Sequence, residues 1–213
     1  MSRSRLIRLG ATLLLGCGPL LFGCQSSSLT AGKLYIKQEK YEQAREQLEL
    51  AVKEIPTNAE AHYHLGRVRG IQGEYAAMAD AFDKAQELSS KYDVQIEEER
   101  LHYWSRIYNS GVHAASGQDP DLRTARSHFA TAVRVLPKHL KAWRNLAAID
   151  YQLGEIDAAV EEFEHVVTEA PDDTSTYRML GVIYLGLQRH DDAVRCFQEV
   201  LAVGEHRGAL INL

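Results

Sequence analysis

The sequence predicts an all-α solenoid built from repeated helix-turn-helix units, and three observations lead to this prediction. An alanine followed four residues later by a phenylalanine recurs at a step of 34 residues, a period typical of helical repeat arrays. The pairs are Ala125 with Phe129, Ala159 with Phe163, and Ala193 with Phe197. Apolar residues form two stripes at helical spacing within each period, and glycines and prolines mark the expected helix ends.

The repeat extends over nearly the whole chain, because Leu48 and Phe82 continue the same step toward the N-terminus. The predicted units are 25–58, 59–92, 93–139, 140–173 and 174–207. In each unit a small residue on the first helix should let the second helix approach closely. These residues are Gly32, Gly66, Ser105, Ala147 and Gly181. Pro56, Pro137 and Pro171 should end second helices, since proline cannot continue the backbone hydrogen bonding.

Two motifs on the predicted first helices indicate a family. Trp143-x-x-Leu146-Ala147 and Tyr177-x-x-Leu180-Gly181-x-x-Tyr184 resemble the tetratricopeptide repeat (TPR), a helix-turn-helix unit of this length. The resemblance covers residues 29–207. It implies a right-handed superhelical solenoid of about five units, whose first helices line a concave groove that binds a protein or peptide ligand.

The third unit departs from the regular period. Phe129 follows Phe82 by 47 residues, so 13 residues are extra. The apolar spacing of Leu101, Trp104 and Tyr108 predicts a first helix at about 98–112, with Ser105 as its small residue. We therefore expect five extra residues to lengthen the start of this helix and eight to lengthen the turn after it. A tolerated surface insertion is favoured over a contact finger or a metal loop, because the turn lacks the ligand spacing of an EF-hand.

The N-terminus has the pattern of a targeting segment. Arg3, Arg5 and Arg8 precede an apolar run at 9–22, which is too short for a membrane-spanning helix of about 20 residues. Residues 1–23 are therefore predicted to be a cleaved signal peptide.

The end of this segment, Leu21-Phe22-Gly23-Cys24, resembles the bacterial lipobox, in which the cysteine is lipidated and becomes the first residue of the mature chain. Cys17 is a second candidate, but cleavage there would leave an apolar run exposed. The resemblance implies fatty-acyl chains such as palmitate on Cys24, a short tether at 24–28, and a membrane-anchored lipoprotein of the bacterial cell envelope. The neutral Gln25 suggests an outer-membrane location facing the periplasm.

The charge and cysteine content exclude some classes of protein. Removal of 1–23 leaves 21 basic and 29 acidic side chains, whereas a general nucleic-acid binder would be basic. Only Cys196 would remain besides Cys24, so no intrachain disulfide is expected. No metalloprotease, nucleophile-elbow, phosphate-loop or paired-cysteine motif occurs in the sequence. We predict no enzymatic activity, no cofactor and no metal site.

The family resemblance also selects candidate groove residues, at the second, fifth, sixth, ninth and twelfth places of each unit. They are Glu60, Tyr63, His64 and Arg67; Glu99, His102, Tyr103 and Arg106; Lys141, Arg144, Asn145 and Tyr151; and Arg178 and Met179. The four arginines would suit an acidic or C-terminal peptide, since guanidinium groups bind carboxylates bidentately. The alternative is that they are good helix formers on a solvated face.

Residues 208–213 parallel the start of the fourth unit and are predicted to begin a further helix or a truncated sixth unit. A fragment of a longer array is favoured over an open end that serves as a docking surface. The leading functional hypothesis is a lipid-anchored adaptor for envelope proteins, in secretion, pilus or outer-membrane assembly. The alternatives are a self-associating scaffold or spacer without a groove ligand, possible as a homo-oligomer through the C-terminal end, and a regulatory repeat part of a longer protein.

Overall fold

The computed structural model describes residues 26–211, with side chains described as far as residue 203. This part of the chain is helical and contains no strand. The α-helices are α1 (Ser27–Lys37), α2 (Tyr41–Glu54), α3 (Ala59–Ile71), α4 (Tyr75–Leu88), α5 (Asp93–Ala114), α6 (Leu122–Val135), α7 (Leu140–Leu153), α8 (Ile156–Glu169), α9 (Thr174–Gly186) and α10 (His190–Ile211), and a short 3-10 helix occupies Ser90–Tyr92. Residues 1–25, which include the predicted signal peptide and Cys24, lie outside the described residues.

Consecutive helices pack in pairs, and each pair packs on the next, so the predicted all-α solenoid is confirmed. Glycines on the first helices contact the aromatic rings of the second helices. A Cβ atom added to Gly66 would lie 2.5 Å from Phe82 Cδ1, and one added to Gly181 would lie 2.7 Å from Phe197 Cε1. Only a residue without a side chain fits at these two places.

Caps and turns set the helix ends. The side chains of Asn58 and Asp121 accept hydrogen bonds from backbone N–H groups in the first turns of α3 and α6. Gly73 and Gly154 have positive φ angles of 82° and 83° between the helices of their units. Glu39 and Gln188 occupy the corresponding turns with φ angles of 56° and 59°. The turns are thus alike in shape, although the glycine signal is present in only two of these four.

The third unit has a different register from the predicted one. Phe129 packs on Gly111, where an added Cβ would lie 2.8 Å from Cε1 of the ring, and not on Ser105. Gly111 follows Gly66 by 45 residues and precedes Phe129 by 18, whereas the regular values are 34 and 16. Eleven extra residues therefore precede Gly111 and two follow it, so the predicted division into five and eight was wrong. Eleven residues make about three helical turns, which keeps the same side of α5 toward the core.

The lengthened α5 alters the joint between the second and third units, where α4 packs against α6 as well as α5. Arg100 lies at this joint and is only 3% exposed. Its guanidinium donates hydrogen bonds to the carbonyl oxygen of Val135 (2.7 Å) and to a carboxylate oxygen of Asp83 (2.5 Å). Asp83 also accepts from Arg134 at 2.8 Å. One buried guanidinium therefore connects α4, α5 and the end of α6.

The two ends of the described chain are helical. α1 begins at Ser27 and is capped by Ser26, so residues 27–28, predicted as tether, belong to the helix. α10 is continuous to Ile211, and residues 208–211, where a further helix was predicted to start, continue it. Among the helices of residues 26–211, none is long and apolar enough to cross a membrane.

Candidate functional site

The candidate site is the face formed by five places on each first helix, counted so that the small residue is at the eighth place. We call this the first-helix face; it comprises the second, fifth, sixth, ninth and twelfth places of α1, α3, α5, α7 and α9. Its ninth-place residues are Lys33, Arg67, Val112, Ala148 and Val182. This row changes from charged to apolar along the array, which divides the face into an N-terminal half on α1 and α3 and a C-terminal half on α5, α7 and α9.

The charged side chains of the N-terminal half are paired with neighbouring helices. Lys33 Nζ on α1 lies 2.5 Å from Glu60 Oε1 on α3, and Arg67 Nε on α3 lies 3.0 Å from Glu99 Oε1 on α5. The four side chains are between 25% and 34% exposed. Arg67 and Glu60, both predicted to bind a partner, thus join first helices to each other.

The aromatic residues predicted in the second unit also pack internally. The ring of Tyr63 is buried and stacks on Tyr92, with centroids 4.5 Å apart. The guanidinium of Arg67 lies 5.8 Å from the centre of the Tyr63 ring. Burial, and next the positive charge of Arg67, lower the pKa of His64 to about 4, so this imidazole is neutral at pH 7.

The residues predicted for the third unit are displaced by the register change. Tyr103 is buried against Tyr75 and Gly70, while His102 and Arg106 are exposed. Counted from Gly111, the places of the first-helix face fall on Ser105, Tyr108, Asn109, Val112 and Ala115. The sequence reasoning missed these residues because it aligned Trp104 with Leu146. The available signal was the glycine itself, which occupies the eighth place in three other units.

The polar residues of the C-terminal half have two kinds of environment. Arg144 Nη1 lies 3.1 Å from Asp173 Oδ2 at the cap of α9, and the Asn145 amide donates to the hydroxyl of Tyr108 at 3.0 Å. Lys141 and Arg178 are exposed and have no ion pair within the described residues. The four-arginine groove predicted from the sequence therefore contains two arginines, Arg67 and Arg144, that are already engaged.

Five of the thirteen large apolar side chains that are exposed among the described residues belong to this half of the face. They are between 37% and 52% exposed, and we call them the apolar track: Val112, Tyr151, Met179, Val182 and Leu185. The sequence candidates included only Tyr151 and Met179 of these five, since most of the other candidates are charged or polar. Apolar side chains grouped on a surface are typical of sites that contact another molecule.

Two titratable groups with raised pKa values, Glu162 and Cys196, lie outside the first-helix face, on the second helices α8 and α10. Arg126 binds Asp150 through Nε (2.5 Å) and Nη2 (3.0 Å). Burial, and next the charge of Asp150, raise the pKa of Glu162 to about 8. Burial also raises the pKa of the Cys196 thiol, which keeps it protonated at neutral pH. Within residues 26–203 no group of three or more His, Cys, Asp or Glu side chains could hold a metal ion.

Comparisons with known proteins agree with the helical repeat. Sequence profiles of the tetratricopeptide repeat match residues 29–93 and 139–206. The chain is 24% identical over 151 residues to the BBSome complex member BBS4 homolog of Drosophila melanogaster, which covers 70% of this chain and 30% of that protein. It is 31% identical over 94 residues to tetratricopeptide repeat protein 36 of Danio rerio, covering 42% of this chain and 50% of that protein. The chain thus spans half or less of the length of these curated relatives.

Among solved structures, the crystal structure of MamA superposes with a TM-score of 0.42 and 19% identity, covering 84% of this chain and 96% of that one. YrrB, described as a TPR protein with an unusual peptide-binding site, gives a TM-score of 0.37 and 16% identity, covering 83% and 84%. These superpositions are loose, and the two profile matches are what define the relationship.

Proposed function

This chain belongs to the tetratricopeptide repeat family, and we propose that it is a non-enzymatic, lipid-anchored adaptor that binds a protein partner along its first-helix face. Repeats of this family form scaffolds for protein interaction. In this proposal the adaptor works in the bacterial cell envelope, in secretion, pilus or outer-membrane assembly. The curated relatives are longer than the part matched here, so a regulatory role within a larger protein is the alternative to a free-standing adaptor.

The observation that carries the interaction role is the exposure of the apolar track on the first-helix face. Solvent contact with these five side chains is unfavourable, and a partner that covers them removes apolar area from water. At the same places of α1 and α3 the side chains are buried, half-buried or hydrogen-bonded within the protein. The exposed large apolar side chains of the face therefore lie in its C-terminal half.

The anchoring part of the proposal is supported by the lipobox-like sequence that ends at Cys24 and by the start of α1 only three residues later. Three residues span about 10 Å when extended. An acylated Cys24 would keep the first unit next to the lipid surface, and two acyl chains suffice for stable attachment.

Site-specific photocrosslinking in the native cells tests the adaptor role. A photoreactive residue at Val182 or Val112 should capture the same protein, whereas one at Leu50, an exposed apolar position on α2, should not. Equal capture from all three positions, or no capture, would contradict binding along the first-helix face.

Acylation is tested separately with Cys24→Ser. The variant should lose incorporated palmitate and move from the membrane fraction to the soluble fraction, while Cys196→Ser, its matched control, should do neither. Palmitate that persists in Cys24→Ser would show that the anchor is elsewhere or absent.

A self-associating scaffold is the second candidate, and the exposed Val194 and Leu201 on α10 favour it. If photocrosslinking at Val182 and Val112 captures only further copies of this chain, and the molecular mass in solution rises with concentration, the scaffold replaces the adaptor.

A further inference from the structure

We infer that the first two units rest with one edge on the anionic lipid surface that holds the Cys24 anchor, and that the lengthened α5 keeps the later units about 16 Å from that surface. This inference rests on the proposed lipid anchor and specifies how the array is oriented on it. We call one side of the array the between-unit edge, because it carries the turns that join each unit to the next. These turns are residues 55–58, 89–92, 136–139 and 170–173.

The start of α1 is fixed to the between-unit edge by two hydrogen bonds. The hydroxyl of Ser28 donates to Glu54 Oε1 at 2.7 Å, and the hydroxyl of Ser26 donates to the other oxygen of the same carboxylate. Both serines are buried, and Glu54 is the last residue of α2. Because Cys24 precedes Ser26 by only two residues, an anchor on Cys24 lies within about 7 Å of this edge.

The charges of this edge in the first two units suit an anionic lipid surface. The turns 55–58 and 89–92 contain Lys91 and no acidic residue, and Lys53 adjoins the first of them. Both lysines are exposed, and no ion pair within residues 26–203 includes either of them. A lysine close to such a surface strengthens attachment about fivefold, so two lysines are enough to orient a protein that an acyl anchor already holds there.

Other edges of the array suit this surface less well. The turns at the opposite edge of the first two units contain Glu39 and Glu74 beside Lys40. The last turn of the between-unit edge contains Asp172 and Asp173. Phosphate headgroups repel carboxylates, so the part of the array nearest to Cys24 is also the part that such headgroups attract.

The joint from α3 to α5 begins like a regular joint between units. Tyr63, at the fifth place of α3, stacks on Tyr92, the residue immediately before α5. In the same way, Arg144, at the fifth place of α7, binds Asp173, the residue immediately before α9. The first turns of α5 and α9 therefore lie at equivalent levels beside the preceding first helix.

The two joints differ farther along the helix. Gly181, the small residue of α9, follows Asp173 by 8 residues, whereas Gly111 of α5 follows Tyr92 by 19. The eleven additional residues advance the chain by about 16 Å along the helix axis before the third unit begins. The turn 136–139 accordingly lies beside the middle of α5, where His139 stacks on Trp104 with ring centroids 4.1 Å apart. The first two units thus project from the between-unit edge, and the later units are set back.

This offset separates the lipid-facing part of the array from the apolar track. The track lies in the third, fourth and fifth units, from Val112 to Leu185. An α-helix with its side chains is about 10–12 Å across, so a partner segment of that width fits between the later units and the lipid surface. The extra turns of α5 therefore leave space for a partner on an array that is held close to the membrane.

Energy transfer to lipid headgroups tests the orientation. The full-length acylated chain, with Cys196→Ser, is reconstituted in vesicles of phosphatidylcholine and phosphatidylglycerol that contain a headgroup-labelled acceptor lipid. A single donor dye is attached through Ser90→Cys on the projecting part of the between-unit edge, Lys138→Cys on its set-back part, or Glu74→Cys at the opposite edge.

The donor at residue 90 should show the strongest energy transfer. The donors at residues 138 and 74 should lie about 16 Å and about 20 Å farther from the headgroups, which are the lengths of the offset and of one helix. Equal transfer from residues 90 and 74 would overturn the orientation. Equal transfer from residues 90 and 138 would overturn the offset.

A variant of Glu54 tests how the chain start is held. Glu54→Ala removes the acceptor of Ser26 and Ser28, so the difference in transfer between residues 90 and 74 should fall at least about twofold. The matched control is Glu46→Ala, another exposed carboxylate on α2, which should leave the difference unchanged. Circular dichroism confirms that both proteins are folded. An unchanged difference in Glu54→Ala would show that this carboxylate does not orient the array.

A charge reversal tests the contact with headgroups. Lys53→Glu with Lys91→Glu should reduce transfer from residue 90 on the anionic vesicles, and the reduction should be absent on vesicles of phosphatidylcholine alone. The matched control is Lys37→Glu with Lys40→Glu, two exposed lysines at the opposite edge, which should leave this transfer unchanged. Equal reductions by the two double variants would refute a contact specific to Lys53 and Lys91.

The acylation result separates this inference from the proposed anchor. Palmitate on Cys24 together with equal transfer from all three labelled positions would retain the anchor and refute the orientation. A chain without palmitate that does not attach to vesicles would remove the anchor, and the orientation with it. Capture of a partner at Val182 and Val112 is measured separately, so the adaptor role stands or falls on its own result.

Discussion

The two halves of the first-helix face use the same places of the repeat for different purposes. In the N-terminal half, Lys33 and Arg67 at the ninth place bind carboxylates of the next first helix. In the C-terminal half, the ninth place is held by Val112, Ala148 and Val182. The first arrangement joins neighbouring units, and the second leaves an apolar surface in contact with solvent.

Arg144 and Arg178 show why a place in the repeat does not determine a role. Both are at the fifth place of a first helix, and both were predicted to bind a ligand. Arg144 lies 3.1 Å from the capping residue Asp173 of the next unit, while Arg178 is exposed without an ion pair in the described residues. The neighbouring unit decides whether a cation is structural or accessible.

The largest effect is expected where the two halves meet. Arg100→Ala should lower the free energy of unfolding by about 3 kcal/mol, because it removes charged hydrogen bonds to Val135 and Asp83 and leaves a gap beside Phe82. Urea denaturation measures the loss, and Arg123→Ala, an exposed arginine on α6, is the control. A midpoint equal to that of Arg123→Ala would show that Arg100 does not hold the halves together.

A second pair of variants tests the register that defines the C-terminal half. Gly111→Leu should cost about 1–3 kcal/mol by overpacking against Phe129, whereas Ser105→Leu should change stability by less than about 0.5 kcal/mol. Thermal denaturation of the two proteins gives the comparison. The opposite ranking would restore Ser105 as the small residue and move Val112 off the first-helix face.

Two titratable groups, Glu162 on the second helix α8 and His64 on the first helix α3, should make opposite contributions to the pH dependence of stability. The raised pKa of Glu162, about 8 against 4.5 when unperturbed, means that the folded protein holds this proton more tightly. Its contribution to stability is complete below about pH 4.5 and is lost as pH rises toward 8. The lowered pKa of His64, about 4 against 6.5, has the reverse effect, so its contribution is lost as pH falls from 6.5 toward 4.

Glu162→Gln should therefore reduce the decline in stability between pH 6 and 8 by about 1 kcal/mol, with little change below pH 5. His64→Gln should act only on the acidic side. Chemical denaturation at several pH values checks both variants. If the two variants flattened the same pH range, the assignment of the alkaline loss to Glu162 and of the acidic loss to His64 would be wrong.

The smallest expected effect on stability distinguishes Arg67, which is paired with Glu99, from Arg178, which is exposed. Arg67→Ala should cost about 0.5 kcal/mol through loss of Glu99 and Tyr63, while Arg178→Ala should leave stability unchanged. Photocrosslinking at Val182 should give the reverse order, with Arg178→Ala reducing the captured partner and Arg67→Ala having little effect. If the two variants behaved alike in the stability and binding measurements, the distinction between the two halves would be wrong.

The sequence predicted the fold well because a 34-residue period depends on many residues at once, and Phe82, Phe129 and Phe163 are buried as that period requires. In α5 the sequence predicted the wrong residues for the first-helix face. Ser105 and Gly111 are both small, and only the contact of Gly111 with the Phe129 ring distinguishes them. The carboxylate partners of Arg67 and Arg144 belong to neighbouring units at sequence separations of 32 and 29 residues, which a pattern within one unit does not reveal.

The eleven residues added to α5 have a consequence for how such arrays can change in length. A residue turns the helix by about 100°, so eleven residues return nearly to the starting direction, whereas ten or twelve would rotate everything beyond them by about a quarter turn or more. The helix thus tolerates only insertions whose length is close to a whole number of helical turns. Length variation within a first helix should therefore come in groups of about seven or eleven residues, and intermediate lengths should be confined to the turns.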